Sequence, residues 1–522
     1  MKVRLSLFAV TLLAACARPA VAPPPLAHQT PGPAQGSAGT PVYAGEPAAS
    51  VRIETRILGV SPDGYARWLA VARFFDVHGK PTRILANSNL DWIPSIGVAQ
   101  WQNRMRYGQP SAIVSTDRDG PLSLTVRATL PKLPSVMVRI DTTAWRGARV
   151  VAGAIGPHLV QVGWFPYSAR PVTVARVGTH GARTVLARLP GGSTYYDASA
   201  VPGTVYRYAV TRGSRTLLTN VVHVPPRLPR TPIANASGSA MWLYFTLDPL
   251  DDLYYAKLDP AAIVRQAVAA HLHYVELRAA YGAYFEITPQ AKPVVDAIID
   301  GLESHGIGVV GWSVPREVRY DDLRATLDVA RYRTASGRRF TGLAVDLERG
   351  SEFMGDGPAA RRALGEYLTL VREAAGPRYL IVATVEDPYF EHLDAAQYPY
   401  RAIARAASVL QPMAYWRMMR KTAPTTPAKV AAQMRASYAT LLRMAGRRMP
   451  VSMGGQTSAL TATGYPPAGE ITASLDASKH AGAIGEAFFA WNDTLAQQWE
   501  AIGRFNWRAA VVLRRSRAPA RR

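Results

Sequence analysis

The strongest constraint on the fold lies between residues 240 and 507, where short apolar runs alternate with helix-period stretches. The runs fall at 241–246, 274–279, 308–314, 341–348, 379–385, 409–416, 450–454 and 485–491. Helical segments lie between them at 261–270, 293–304, 320–333, 359–374, 428–444 and 471–481. Eight strands separated by helices fit a TIM-type (β/α)8 barrel, whose usual size is about 250 residues. A doubly wound open sheet is the alternative. In a barrel the reactive groups sit where strands end and the following loops begin, so function is to be read at those strand ends.

The fourth strand ends Val345-Asp346-Leu347-Glu348-Arg349. Asp346 and Glu348 are two apart, so on a strand both side chains face one side, which in a barrel can be the lumen. Two carboxylates held close in a low-dielectric site repel, and the one whose pKa rises is suited to general acid work near neutral pH. A structural acid paired with Arg349 or Arg316 is the competing interpretation. The sixth strand ends Gln411-Pro412-Met413-Ala414-Tyr415-Trp416 and the eighth ends Phe488-Phe489-Ala490-Trp491. Aromatic residues at a barrel rim offer stacking faces, and tyrosine adds a hydroxyl. The candidates at the strand ends are Glu348 and Asp346 for chemistry, with Tyr415, Trp491, Trp416, Trp312, Glu386, Met413 and Gln456 for contact with a ligand.

These three strand ends resemble the family 18 glycoside hydrolases, the chitinase-like barrels, over about half the chain. That family ends its fourth strand in Asp-Gly-x-Asp-x-Asp-x-Glu, its sixth in Met-x-Tyr and its eighth in a Trp. This chain has Thr341-Gly342-Leu343-Ala344-Val345-Asp346-Leu347-Glu348, Met413-Ala414-Tyr415 and Ala490-Trp491. The resemblance implies Glu348 as general acid, Asp346 as the group that orients a substrate acetamido arm, Tyr415 as donor to the acetamido oxygen and Trp491 as the floor of the sugar site. In such chemistry the sugar's own amide replaces an enzyme nucleophile, an exception to the two-carboxylate scheme. The seventh strand, Pro450-Val451-Ser452-Met453-Gly454-Gly455-Gln456, carries no acid that could be a nucleophile, which agrees with that exception. Thr341 and Ala344 stand where the family has its first two acids, so a glycan-binding barrel without turnover is the second expectation. The chain also resembles the family 25 lysozymes in Asp-x-Glu and in Tyr274-Val275-Glu276-Leu277-Arg278-Ala279-Ala280-Tyr281-Gly282, with Asp248 the nearest acid to the end of strand one.

Other acids have plainer expected roles: Glu276 and Arg278 share a strand face and can pair, Glu486 is expected in an internal ion pair, and Glu386-Asp387 can cap a loop or serve as a base. His271 and His273 have no third ligand nearby, so no metal is expected, and no cofactor fingerprint appears in a convincing setting.

Before the barrel, residues 51–147 alternate as in Val51-Arg52-Ile53-Glu54-Thr55-Arg56-Ile57, with turns at Ser61-Pro62-Asp63-Gly64 and His78-Gly79-Lys80-Pro81. Such alternation between Gly, Pro and Asp predicts an antiparallel β-sandwich. Phe75-Asp76-Val77-His78-Gly79-Lys80-Pro81 resembles a turn of bacterial immunoglobulin-like modules. Residues 148–227 place Trp164 early and Tyr206-Arg207-Tyr208-Ala209-Val210 late, which resembles a fibronectin type III domain. The barrel is expected over 236–508 and a basic tail over 509–522.

Residues 1–16 read MKVRLSLFAVTLLAAC, a basic start and an apolar run too short to span a bilayer. Leu13-Ala14-Ala15-Cys16 resembles the bacterial lipobox, which implies an exported lipoprotein with its lipid on Cys16. Residues 17–50, rich in Pro, Ala and Gly, are expected to act as an extended spacer. Cys16 is the only cysteine in 522 residues, so no intramolecular disulfide can form. The formal charge of +23 is read either as compositional bias or as attraction to anionic envelope polymers and head groups. The expected partners are a glycan and, through the lipid, a membrane; export argues against nucleic acid.

Overall fold

The computed structural model describes residues 42–43, 45–82, 84–86, 89–102, 110–130, 132–140, 149–178, 181–244, 259–350, 353–418, 426–459 and 463–507. Cys16, most of the expected spacer, Asp248 and the 509–522 tail lie outside the described residues.

Eight parallel strands, numbered within this unit, run β1 Gly238–Leu243, β2 Tyr274–Tyr281, β3 Gly308–Val314, β4 Gly342–Leu347, β5 Ile381–Val385, β6 Val409–Pro412, β7 Ser452–Gln456 and β8 Gly485–Phe489. From β1 to β6 each strand pairs with the next, β7 pairs with β8, and β8 returns to β1. The joint between β6 and β7 is held by the bridges Leu410↔Val451 and Met413↔Gly454. The sheet is thus a barrel-like ring, and the doubly wound alternative falls. The strands alternate with helices α1 Pro260–Ala269, α2 Lys292–Ser304, α3 Tyr320–Arg331, α4 Gly357–Ala375, α5 Tyr400–Ala406, α6 Pro427–Ala445, α7 Ala468–Ala481 and α8 Ala496–Arg504. Local chemistry sets several helix ends. Asp259 and Thr426 accept first-turn N–H groups of α1 and α6, each followed by a proline that needs no donor partner, and left-handed Gly446 and Gly482 end α6 and α7.

The strands alternate between two environments. On β4, Leu343, Val345 and Leu347 pack outward in the core shared with the helices, whereas Ala344 packs inward in a lumen filled by Trp242, Tyr274, Trp312 and Phe489. Asp346 therefore follows Ala344 into the lumen.

Upstream, Ser50–Val60, Ala66–Phe75, Ser111–Thr116 and Val98–Gln102 form an antiparallel sheet in that order, and Val136–Ile140, Leu122–Leu130 and Asn89–Pro94 form another. Trp68, Val114, Leu124 and Val126 meet in one buried cluster between them. Further strands from Val150–Gly156 to Val222–His223 form antiparallel sheets around Trp164 and Tyr208. Trp164 Nε1 donates to the Gly192 carbonyl at 2.7 Å and Tyr208 Oη donates to Asp197 at 2.8 Å. One expectation changes: Val42–Tyr43, placed in the spacer, pairs with Ile84–Ala86.

These sheets lie against the barrel. Ile155 and Leu159 belong to its outer core, and a Cβ at Gly153 would lie 2.4 Å from the Tyr320 hydroxyl of α3. Arg67 bridges Asp63, at 3.0 Å, to Asp321 of α3.

Candidate active site

At the C-terminal ends of the strands a pocket of about 60 Å³ opens into the lumen. That is room for roughly four to six waters. β4 supplies its two acids, Asp346 and Glu348, both of which line it.

Asp346 is buried, with 5% of its surface exposed. Its Oδ2 accepts from Trp312 Nε1 at 3.2 Å, while Oδ1 is buried with no hydrogen-bond partner. Burial raises its pKa; the Trp312 bond and the Arg278 charge oppose the rise, and the Glu386 charge adds to it. Glu348 is half-buried, and among the described residues its carboxyl makes no side-chain hydrogen bond. Burial pushes its pKa well up, and the charges of Asp346, Glu386 and Glu391 push it further. The pair is thus a carboxyl inclined to keep its proton beside one with an unmet acceptor.

Aromatic rings build the walls. Tyr244 stacks on Phe489 with centroids 5.7 Å apart, Trp242 meets Tyr415 edge-on at 6.5 Å, and Tyr244 meets Trp312 at 6.4 Å. Arg278 reaches the same space, its guanidinium 5.5 Å from the Tyr244 centroid and paired with Glu286 through Nε at 2.9 Å and Nη2 at 3.1 Å.

Of the residues expected at the site, Glu348, Asp346, Tyr415, Trp312 and Met413 come together in this pocket. Trp491, Trp416, Glu386 and Gln456 do not line it. Strand alternation stops at Phe489, and Trp491 opens a one-turn 3-10 helix, Trp491–Asp493, where it packs edge-on against Trp499 at 4.8 Å. Phe489 takes the place expected of Trp491. Trp416 has the opposite parity to Tyr415: it is buried on the helix side, where Nε1 donates to Glu470 of α7 at 2.9 Å. Gln456 accepts the Arg417 N–H at 2.9 Å and donates to the Ser458 carbonyl at 3.0 Å. Glu386 holds Arg349, through its backbone N–H at 2.7 Å and its Nε at 2.6 Å, so Arg349 is not the partner of Asp346. Asp387 caps its loop by accepting from Tyr389 and Phe390 N–H and from Ser437.

Two further pairings differ from expectation. Arg278 pairs with Glu286 rather than Glu276, because the hairpin partner Tyr284–Phe285 brings Glu286 back over β2. Among the described residues no cation pairs with Glu486: it faces α7 and accepts from Ser474, and burial pushes its pKa up to about 7. His273 Nδ1 accepts the Ser239 N–H at 3.2 Å, and among the described residues no group of three His, Cys, Asp or Glu is arranged to hold a metal.

No family model and no curated protein matches the chain. Among solved structures it is similar to the Bacillus cereus spore cortex-lytic enzyme SleL, at 12% identity and TM-score 0.36, over 55% of this chain and 77% of that one. It is similar to a chitinase from Chromobacterium violaceum at 13% identity and TM-score 0.36, over 51% of this chain and 98% of that one. A family 18 N-acetylglucosaminidase from Paenibacillus barengoltzii matches at 12% identity and TM-score 0.33, over 51% and 99%.

The pocket residues outside the expected set are Trp242, Tyr244, Arg278, Tyr281, Val314, Phe353, Thr384 and Phe489. Parity along β1 and β2 could have found Trp242, Tyr244 and Arg278, since 242 and 244, like 276 and 278, alternate inward from one apolar run. Phe353 comes from the loop after β4, where no periodic signal exists.

Proposed function

We propose that this chain is a glycoside hydrolase acting on an N-acetylated glycan, with Glu348 as general acid and Asp346 as the acid that orients the substrate. The observation that carries this is Asp346 Oδ1, a buried acceptor without a partner in an aromatic pocket, two residues from a carboxyl whose pKa burial and neighbouring acids raise. A buried carboxylate oxygen left unpaired is costly, and a substrate amide N–H would satisfy it. Tyr415 Oη then donates to the amide carbonyl, which attacks the anomeric carbon as Glu348 gives its proton to the departing glycosidic oxygen. Water, deprotonated by Glu348, afterwards opens the cyclic intermediate and restores the amide. Trp242, Trp312 and Phe489 supply apolar faces for the ring.

Glu348→Gln is expected to lower hydrolysis of chitooligosaccharides or peptidoglycan fragments by about 10²–10⁴-fold, the range for loss of a general acid, with binding retained. Unchanged turnover in an active preparation sinks the assignment. A non-catalytic glycan-binding barrel is the second reading, favoured by Thr341 and Ala344 in place of acids; saccharide binding by wild type and variant alike, without turnover, would establish it.

The same proposal extends to the rest of the chain. The upstream sheets are read as an immunoglobulin-like and a fibronectin type III-like sandwich, and Cys16 as a lipid anchor that holds the protein on a membrane outside the cytoplasm. Among the described residues no helix is long and apolar enough to cross a membrane. Cys16→Ser is expected to move the exported protein from the membrane to the soluble fraction; unaltered membrane association counts against the anchor.

A further inference from the structure

Deeper in the lumen lies a second acid that this scheme does not use. Glu276 of β2 is 0% exposed. Its Oε1 accepts from Gln411 Nε2 at 2.6 Å, and the Gln411 Oε1 is in turn taken by the Thr384 hydroxyl at 2.8 Å. Oε2 has no partner in hydrogen-bond geometry. The Trp242 indole N–H is near enough to favour the charged form but is itself unbonded. The groups around Glu276 are Trp242 from β1, Tyr274 from its own strand, Asp346 from β4 and Gln411 from β6; the Tyr274 hydroxyl lies 3.0 Å from that of Ser452 of β7 and also favours the charged form of Glu276. None of these is a cation, and Arg278, two residues along, is paired with Glu286.

A carboxylate taken from water with no counter-ion beside it is penalised, and such a group takes up a proton instead. Burial accordingly pushes Glu276 up to about 8, with the Asp346 charge contributing to the rise. Asp346 differs in having an indole donor bonded to it and the Arg278 charge acting on it. On β4 itself the lumen position before Asp346 is Ala344, which offers no group that could hold a proton.

We propose that Glu276 is a positioning residue for Asp346: it keeps its proton while Asp346 ionises, so that the two lumen carboxyls together carry a single negative charge when the ligand amide is bound. This rests on the functional reading above for its purpose, though not for its proton. Two carboxyls in one low-dielectric space titrate as a pair. The first proton leaves Asp346, where a donor and a positive charge favour the anion. The second leaves Glu276 only at higher pH, because the lumen would then hold two charges. Once Glu276 is charged the lumen holds two carboxylates, and the single-charge state is lost.

The test is an infrared pH titration of the full chain, following the carbonyl stretch of protonated carboxyls in wild type, Glu276→Gln and Asp346→Asn. The wild-type minus Glu276→Gln difference is expected to show a protonated carboxyl at pH 7 that disappears near pH 8 and titrates lower when Asp346 is replaced by Asn. Absence of a protonated carboxyl at pH 7, or a midpoint indifferent to Asp346→Asn, overturns the proposal. If Glu276→Gln does not fold, Glu276→Met serves, since an apolar residue of similar volume is often tolerated at a buried charge. If wild type hydrolyses no glycan, the glycosidase reading fails while the infrared coupling still decides this one.

Discussion

Trp312 shows how one side chain can tune the acid beside it. Its indole N–H at 3.2 Å favours the charged form of Asp346 against burial, which favours the neutral one. Trp312→Phe keeps a ring in the wall and removes the donor. A hydrogen bond to a charged group is worth about 1.5–3 kcal/mol, so the Asp346 titration should move up by about one to two pH units. The pH dependence of saccharide binding or hydrolysis would then shift upward along its acidic limb, and an unmoved limb would show that the bond does not tune Asp346. At this scale Asp346, Glu348 and Tyr415 were legible because two-residue spacing on an apolar strand puts side chains on one face. The partners were not: that Arg349 turns to Glu386 and Arg278 to Glu286 depends on which loops return over the strand ends.

Among the secondary-structure elements, strand existence was legible and strand ends were not. The run at 409–416 is a strand only to Pro412 and that at 485–491 only to Phe489. Past Phe489 an apolar run continues but the pleat does not, and this is why Trp491 leaves the lumen, whereas Trp416 turns to the helix side opposite its neighbour Tyr415. Helices α5, of seven residues, and α8, of nine, were missed because so few turns give little periodicity. Close helix-on-sheet packing also relies on particular glycines. A Cβ on Gly311 of β3 would lie 2.3 Å from Val329 of α3 and 3.0 Å from the Phe340 ring. Gly311→Ala is therefore expected to destabilise the barrel by about 1–3 kcal/mol through overpacking, measured as a lower denaturation midpoint; a neutral result would mean that α3 shifts freely.

Across the whole molecule, the upstream sheets and the barrel are joined by charge as well as by apolar contact. Arg67 is 9% exposed and links Asp63 to Asp321 of α3, and Arg319 adds a second cation 3.9 Å from Asp63. Removing Arg67 leaves Asp63 with the more distant Arg319 alone and takes from Asp321 its link to the upstream sheets. Arg67→Ala should cost on the order of 3 kcal/mol, the lower end for breaking a buried pair because Asp321 stays partly hydrated. Guanidinium unfolding followed by both fluorescence and circular dichroism would show an early transition moving to lower denaturant; coincident, unshifted curves would argue against a docking role.

The sequence by itself determined the order of strands and helices, the inward parity of the strand-four acids and the absence of an acid on strand seven, because these follow from periodicity and residue chemistry along a short stretch. Only the tertiary structure decided that Glu276 is buried in the lumen beside Gln411 and that Phe489 rather than Trp491 lines the pocket. Both depend on distances between strands far apart in the chain, where closure of the ring brings β1, β2, β4, β6 and β8 to face one another across the same few ångströms.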